Sequence, residues 1–307
     1  MIRRLRLSDV ARQLLPKHVE GTDLACTHAG LTTPAGKLRA GDLARWSVAT
    51  RKAQQAVASV RAGHLETVVL LQERRGPRSW EVAHLFSTDD GMEEMAAVLD
   101  QATELVGSCG GERLFLRVPA GSPLQNLAEQ SGFFAAYSEE VYGLHRSMQA
   151  STDGPALSLR PPLPADTYGQ FRLYSTALPS AVRAAAGLTL DQFLDSRETV
   201  DGSTREFVWA AEDGQVHGWV RLSHLRNRLT IDAMLHPDDG TAAGALVADT
   251  ALLAWGHTIP SWIVASYQPA LSVALHRRGW EAQRSFAVLI KSAAGHVREP
   301  ALMPAQA

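Results

Sequence analysis

The chain repeats itself. Asp89-Asp90-Gly91 and Asp238-Asp239-Gly240 stand 149 residues apart in a chain of 307. Each triplet lies between a run of β-formers and a run with helical spacing. The first stretch, 80–106, reads WEVAHLFSTDDGMEEMAAVLDQATELV, and the second, 229–255, reads LTIDAMLHPDDGTAAGALVADTALLAW. In the second, the strand formers stop at His236-Pro237, because proline cannot extend a ladder. Beyond Gly240, Leu246, Val247, Ala251 and Ala254 recur at helical spacing. A strand–turn–helix repeated at half the chain length restricts the fold to two copies of one unit, each of about 150 residues, an ordinary domain size. A strand that feeds a helix through small residues also leaves backbone N–H groups free at the helix N-terminus, where an anion is favoured.

Each copy follows one script. In the first, Ile2–Leu7 reads as a strand and Ser8-Asp9 as the N-cap of a helix over Val10–Val19. Residues 21–37 are rich in Gly, Thr and Ala, have no clear period, and read as a loop that could be mobile. A helix over Gly41–Thr50 follows, then strands at Gln55–Val60, Thr67–Gln72 and Trp80–Phe86. Met92–Val106 carries a helical apolar stripe that stops at Gly107. Arg113–Val118 is a strand, Ser122-Pro123 with Gln125 resembles a capping box that opens a short helix, and Phe133–Leu144 closes the copy. Residues 147–156 are small and turn-rich and read as a linker. The second copy offers a strand at Leu157–Arg160 and helices at Asp166–Leu178 and Leu190–Arg197. A hairpin around Asp213-Gly214 follows, then the strand–triplet–helix element, a strand at Trp262–Tyr267, a helix from Pro269 to Gly279, and a last strand at Phe286–Lys291. The implied division is 1–147, 156–293 and a flexible tail at 294–307.

Composition narrows the function classes. Apolar residues at 45% and charged residues at 20% build an ordinary buried core. A net charge of −2 supplies no basic field for nucleic acid or a membrane surface. Cys26 and Cys109 cannot form a disulfide framework, which fits a cytoplasmic protein with reduced thiols. The N-terminus has basic residues with no apolar run behind them, so a signal peptide is not expected, and no run of about 18 apolar residues would span a membrane. The 11 histidines never take a zinc-ligand spacing with cysteine or acid, so no metal site is expected. Nucleophile-elbow, phosphate-loop and dinucleotide motifs are not found.

The two closing stretches, QNLAEQSGFFAAYSEEVYGL (125–144) and LSVALHRRGWEAQRSFAVLIK (271–291), carry Gly-aromatic pairs at Gly132-Phe133 and Gly279-Trp280. With the element order, they resemble the GNAT superfamily of acyl-CoA N-acyltransferases, in two tandem copies. The resemblance implies an α/β fold with two mostly antiparallel sheets flanked by helices, packed as a single-chain version of a dimer and leaving the protein monomeric. It implies acetyl-CoA or another acyl-CoA as donor and a small-molecule or peptide amine as acceptor. The donor's pyrophosphate would sit on a loop just after the fourth strand. In the second copy this places Met234, Leu235, Gly240, Thr241, Ala242, Ala243, Gly244 and Ala245 at the donor. The loop has small residues and lacks the family's basic or amide residue. In the first copy Met92, Glu93 and Glu94 stand where phosphates would lie, which marks that copy as a structural pseudo-domain.

The acid used by many members is a tyrosine four residues before the closing glycine; the matching positions are Ala128 and Leu275, which cannot donate a proton. Two other residues are candidates for catalysis. Asp232, on the fourth strand of the second copy, could be a general base or could face solvent. His276 could shuttle a proton or be a solvated helix residue beside Arg277 and Arg278. Tyr267 ends the fifth strand near the expected cleft. Arg74, Arg75 and Arg78, and likewise His224, Arg226 and Arg228, make both third-to-fourth-strand turns basic, as solvated tips or as contacts to an anionic group. The tryptophans Trp209, Trp219, Trp255 and Trp262 read as core. Loop 21–37 and the helices of 166–197 would shape the acceptor pocket. Two readings stand: an N-acyltransferase working through the second copy, and a catalytically silent tandem scaffold that binds a ligand or partner.

Overall fold

The computed structural model describes residues 1–6, 8–9, 23–32, 43, 46, 53–88, 90–144, 157–199, 202–211, 214–225, 228–253 and 260–293. The expected helix at 10–19, most of that at 41–50, the linker at 147–156 and the tail at 294–307 lie outside these residues.

In the first half, β1 (Ile2–Arg4), β2 (Gln54–Arg61), β3 (His64–Glu73) and β4 (Ser79–Ser87) precede α1 (Met95–Ser108), β5 (Arg113–Pro119), α2 (Pro123–Gln130) and β6 (Phe134–Leu144). In the second, α3 (Asp166–Ala177), α4 (Ser180–Ala186) and α5 (Leu190–Ser196) lead into β7 (Ser203–Ala210), β8 (Val216–Leu225) and β9 (Arg228–Leu235). Then come α6 (Ala243–Leu253), β10 (Ser261–Ala265), α7 (Pro269–Arg277) and β11 (Trp280–Ser292). Short 3₁₀ turns cover His28–Thr32, Asp90–Glu94 and Pro237–Ala242.

The expected strand at Leu157–Arg160 is reduced to one bridge between Arg160 and Val208. Pro161, Pro162 and Pro164 follow it and cannot donate to a ladder, while the Arg160 guanidinium turns onto Asp166 at 2.6 and 2.9 Å. Helix α4 is additional to the expected elements and fills Ser180–Ala186 between the two expected helices. Met92 falls in the 3₁₀ turn and not in α1, because the turn is pinned to the sheet. Glu94 accepts hydrogen bonds from Ser59 and Arg61, and a Cβ on Gly91 would lie 2.5 Å from Thr67 Oγ1.

All eleven strands form one sheet in the order β1-β2-β3-β4-β5-β11-β6-β10-β9-β8-β7. Among the described strands, only β4–β5 and β9–β10 are parallel. The two copies therefore exchange their closing strands. β11, from the end of the second copy, pairs with β5 of the first from Phe286–Pro119 to Ser292–Arg113. β6, from the first copy, pairs with β10 of the second. Between them β6 and β11 run antiparallel to each other, from Trp280–Leu144 to Ile290–Phe134. Hydrophobic burial follows the exchange. The core around Val69, Trp80, Leu99 and Leu116 includes Ala287 and Leu289 of β11, and the core around Ile231, Leu246 and Trp262 includes Tyr142 of β6.

Leu289 is fully buried in the first half's core. Leu289→Ala should therefore destabilise that half by about 2–5 kcal/mol, the usual cost of a buried Leu-to-Ala change. Hydrogen exchange of amides in β3 and β4 checks this; unchanged protection there would contradict an exchanged core.

Candidate functional site

Each parallel pair is joined only at its start. β4 and β5 pair at Ser79–Arg113, Trp80–Leu114 and Glu81–Phe115 and then part; β9 and β10 pair at Thr230–Ser261, Ile231–Trp262 and Asp232–Ile263 and then part. Each parting leaves strand edges whose backbone groups need partners, and the two are satisfied differently. In the first half the chain's own segment 23–26 lies in the gap. Leu24 N–H donates to Leu85 O at 2.7 Å, Cys26 N–H donates to Arg117 O at 2.9 Å, and Leu85 N–H donates to Asp23 Oδ1 at 3.0 Å. Burial there pushes the Cys26 thiol up to about 12, so it stays protonated and inert. In the second half one side chain bridges the edge. Gln268, buried at the start of α7, accepts from Leu235 N–H at 3.0 Å and donates to Leu235 O at 3.3 Å.

Beside the second gap lies a cavity of about 170 Å³ walled by both halves. Its floor is Asp232, Ala233 and Met234 of β9 with Ile263, Ala265 and Tyr267 at β10; Tyr137 and Glu139 come from the exchanged strand β6, and Tyr174 and Phe193 from α3 and α5. Charges in and behind the wall form a chain of ion pairs. Glu198 Oε1 takes Arg74 Nη2 at 3.1 Å and Arg117 Nη2. Arg117 Nε donates to Glu139 at 2.8 Å, Arg74 Nε lies 3.2 Å from Glu81, and Arg221 Nε donates to Asp232 at 3.1 Å. His28 Nε2 stands 2.8 and 2.7 Å from the two Asp232 oxygens, with the ring 4% exposed.

Burial alone would push Glu198 up, but Arg117 and Arg74 outweigh it and hold the carboxyl well below the usual range. Burial likewise opposes ionisation of Asp232, and His28 and Arg221 override it to keep its carboxyl low. Burial moves the Glu81 carboxyl up. It also drives the Tyr137 and Tyr267 phenols up, so both stay neutral.

Asp232 thus lines the cavity, locked between an arginine and a histidine. His276 lies on the exposed face of α7, with Nδ1 2.8 Å from Ser272 O and its ring edge-on to Tyr142; it is not in the cavity wall. Ala128 and Leu275 are fully buried core. Met234 lines the cavity and Leu235 holds Gln268. Gly240, Thr241 and Ala242 lie in the 3₁₀ turn, and Ala243, Gly244 and Ala245 form the first turn of α6. The basic residue that the sequence lacks in this loop arrives from elsewhere: a Cβ on Gly244 would sit 3.2 Å from Arg278 Nη1. Arg278 Nε is buried and has no hydrogen-bond partner.

Loop 21–37 departs from its reading where it is described. Residues 23–32 are tied into both halves, with Leu31 fully buried and its carbonyl accepting from Arg284. The first basic turn is divided between the two readings: Arg74 is buried on Glu81 and Glu198, while Arg75 and Arg78 are exposed by 44% and 40% and pair with Glu206 and Asp195. Arg226 of the second lies outside the described residues. Trp219 lines the cavity and so serves more than the core, and Tyr267 packs edge-on to Tyr137 at 5.3 Å. His217, His236 and Asp239 bring donor atoms within 4.8 Å of one another, a grouping that linear spacing does not reveal.

Sequence reasoning missed His28, Glu198, Gln268 and Arg278. A usable signal did exist for others: Arg117, Glu139 and Arg221 are charges inside strand-forming runs, and a buried charge needs a partner.

No family model matches the sequence, and no curated protein matches it. Solved structures do. The chain is similar to a GCN5-related N-acetyltransferase from Sphaerobacter thermophilus, at 14% identity and TM-score 0.55 over 95% of both chains. It is similar to a tandem GNAT protein from the clavulanic acid biosynthesis pathway, at 14% identity and TM-score 0.50 over 95% of this chain and 98% of that one. It is also similar to Saccharomyces cerevisiae N-myristoyltransferase with bound myristoyl-CoA and inhibitors, at 11% identity and TM-score 0.50 over 94% and 80%. The chain has the GNAT fold, a mixed α/β fold.

The low Asp232 carboxyl makes a pH prediction. Stability from a depressed carboxyl is complete above its unfolded value, about 3.9, and is lost as pH falls through the folded value. Asp232→Asn should cost about 3–5 kcal/mol at pH 7, because Arg221 loses its counter-charge and His28 its carboxylate partner in a buried site. Its melting temperature should then fall less between pH 5 and pH 3 than the wild-type value; parallel acid limbs would remove Asp232 from the network.

Proposed function

We propose that the protein is an acyl-CoA-dependent N-acyltransferase in which the second half alone takes the acyl donor. The observation that carries this reading is the unequal closure of the two gaps. The first is filled by backbone from residues 23–26, bonded to both β4 and β5. The second is bridged by one Gln268 side chain, which a rotamer change removes. With Gln268 rotated away, Leu235 N–H and O are free for an amide of the donor's pantetheine arm. Its pyrophosphate then lies over the first turn of α6, where Gly244 permits close approach and Arg278 supplies the cation.

The acyl carbon would meet the cavity at Ala233 and Met234, with the acceptor amine on the cavity side. His28 serves as the base and Asp232 as its partner. Nε2 faces the carboxylate, so Nδ1 is the ring atom left to accept the amine proton, and Asp232 steadies the imidazolium. Holding amine and thioester in line accounts for much of the rate without a dedicated acid, which the buried Ala128 and Leu275 do not provide. One observation favours the silent-scaffold reading: both gaps are closed by the chain's own groups.

Isothermal titration with acetyl-CoA and with free CoA tests the proposal. One micromolar site per chain is expected. Gly244→Glu, whose carboxylate would meet Arg278, should abolish it, and Gln268→Ala should bind at least as tightly as wild type. From the sequence, Gly91→Glu would be the silent control, but a side chain there collides with Thr67, Ser87 and the Glu66 carbonyl. Exposed Glu93→Gln on the same turn replaces it. No heat at millimolar cofactor would overturn the donor site.

A further inference from the structure

The walls of the cavity are nearly balanced in charge, but their hydrogen bonding is not. Each wall cation has an anion: Arg74 has Glu81 and Glu198, Arg197 has Glu206, and Arg221 has Asp232. Behind the wall, Arg117 has Glu139 and Glu198. Glu198 is 9% exposed, and its Oε1 receives both Arg74 and Arg117, while Oε2 is buried and has no partner. An unpaired buried carboxylate oxygen is left without the hydrogen bonds it had in water, and a donor from a ligand restores one. Arg74 Nε also lacks a hydrogen bond, but Glu81 stands 3.2 Å from it and balances its charge; an anionic ligand would compete with that carboxylate, whereas a cationic one meets a free oxygen.

Much of the rest of the wall is aromatic, with Leu173, Leu178, Met234 and Ile263 among the aliphatic residues between. Tyr174 and Phe193 lie 4.8 Å apart by ring centroids and Tyr137 stands edge-on to Tyr267, while Phe115 and Trp219 also line the space under Arg74 and under Arg197 and Arg221. Aromatic faces attract an ammonium and bury an apolar body. At about 170 Å³ the space holds a compact molecule.

We infer that the cavity takes a small primary amine, bound as its ammonium on Glu198 Oε2, with an apolar or aromatic body against Tyr137, Tyr174 and Phe193. The inference rests on the acceptor half of the acyltransferase reading. There, His28 takes one proton from the ammonium while Glu198 keeps a second N–H. The freed lone pair forms the C–N bond as the C–S bond breaks onto sulfur, and the remaining excess proton passes to the thiolate, giving the amide and CoA thiol.

Calorimetry without any CoA compound tests it, using 2-phenylethylamine against 2-phenylethanol, which keeps the body and lacks the charge. The amine should bind at least tenfold more tightly. Glu198→Gln should abolish that preference, and Phe193→Leu should weaken both probes alike. Equal binding of the two probes, binding of neither, or a preference that survives Glu198→Gln would overturn the inference. If Glu198→Gln does not fold, because Arg74 and Arg117 lose their partner, the wild-type comparison and Phe193→Leu still decide. The donor site stands apart: selective amine binding without acetyl-CoA binding keeps the inference and removes the donor reading, and the opposite result does the reverse.

Discussion

The ladder between β6 and β11 is the interaction on which the structure depends. It joins the closing strand of each copy to that of the other at the centre of an eleven-stranded sheet. Without it β6 and β11 would each be a long edge of unpaired backbone beside a hydrophobic core, the arrangement that invites aggregation. With it, each core is finished by side chains from the other copy, Leu289 in one and Tyr142 in the other. The same exchange brings Tyr137 and Glu139 of β6 into the wall of a cavity whose floor belongs to the second copy.

The duplicated gaps have diverged in what closes them. An acid ends the paired part of each, Glu81 in one and Asp232 in the other, each held by an arginine. Yet the first has been converted into packing by residues 23–26, and the second retains its shape behind a single glutamine. His28 lies just beyond the first plug and reaches Asp232 in the second half. One short segment thus seals one gap and furnishes the histidine of the other.

Much of the fold was legible in the sequence because the repeat is carried by local signals. The Asp-Asp-Gly triplets, the closing Gly-aromatic pairs and the β-runs place most strands within a few residues. The exchange was not legible: alternation tells which faces of 286–291 are buried and says nothing about which neighbour lies alongside. The site was legible in part. Asp232 stood out as an acid on an apolar strand, but its partner His28 is 204 residues away. Glu198 follows a short helix and carries no local pattern, and its importance arises only where Arg74 and Arg117 converge on it. Arg278 looked like one of several basic helix residues until the fold laid it over Gly244. Contacts made by distant segments leave no period and no spacing.

The exchanged strands also govern the order in which the chain can fold. On a ribosome the first copy emerges with β1 to β6 in hand, yet its core lacks Ala287 and Leu289, and β5 lacks its neighbour. That neighbour is synthesised 167 to 179 residues later (286 − 119 and 292 − 113), so the first copy waits, partly formed, for the last strand. Contacts this distant in sequence slow folding and prolong the exposure of unfinished edges. The protein behaves as one cooperative unit in biogenesis, although its sequence reads as two.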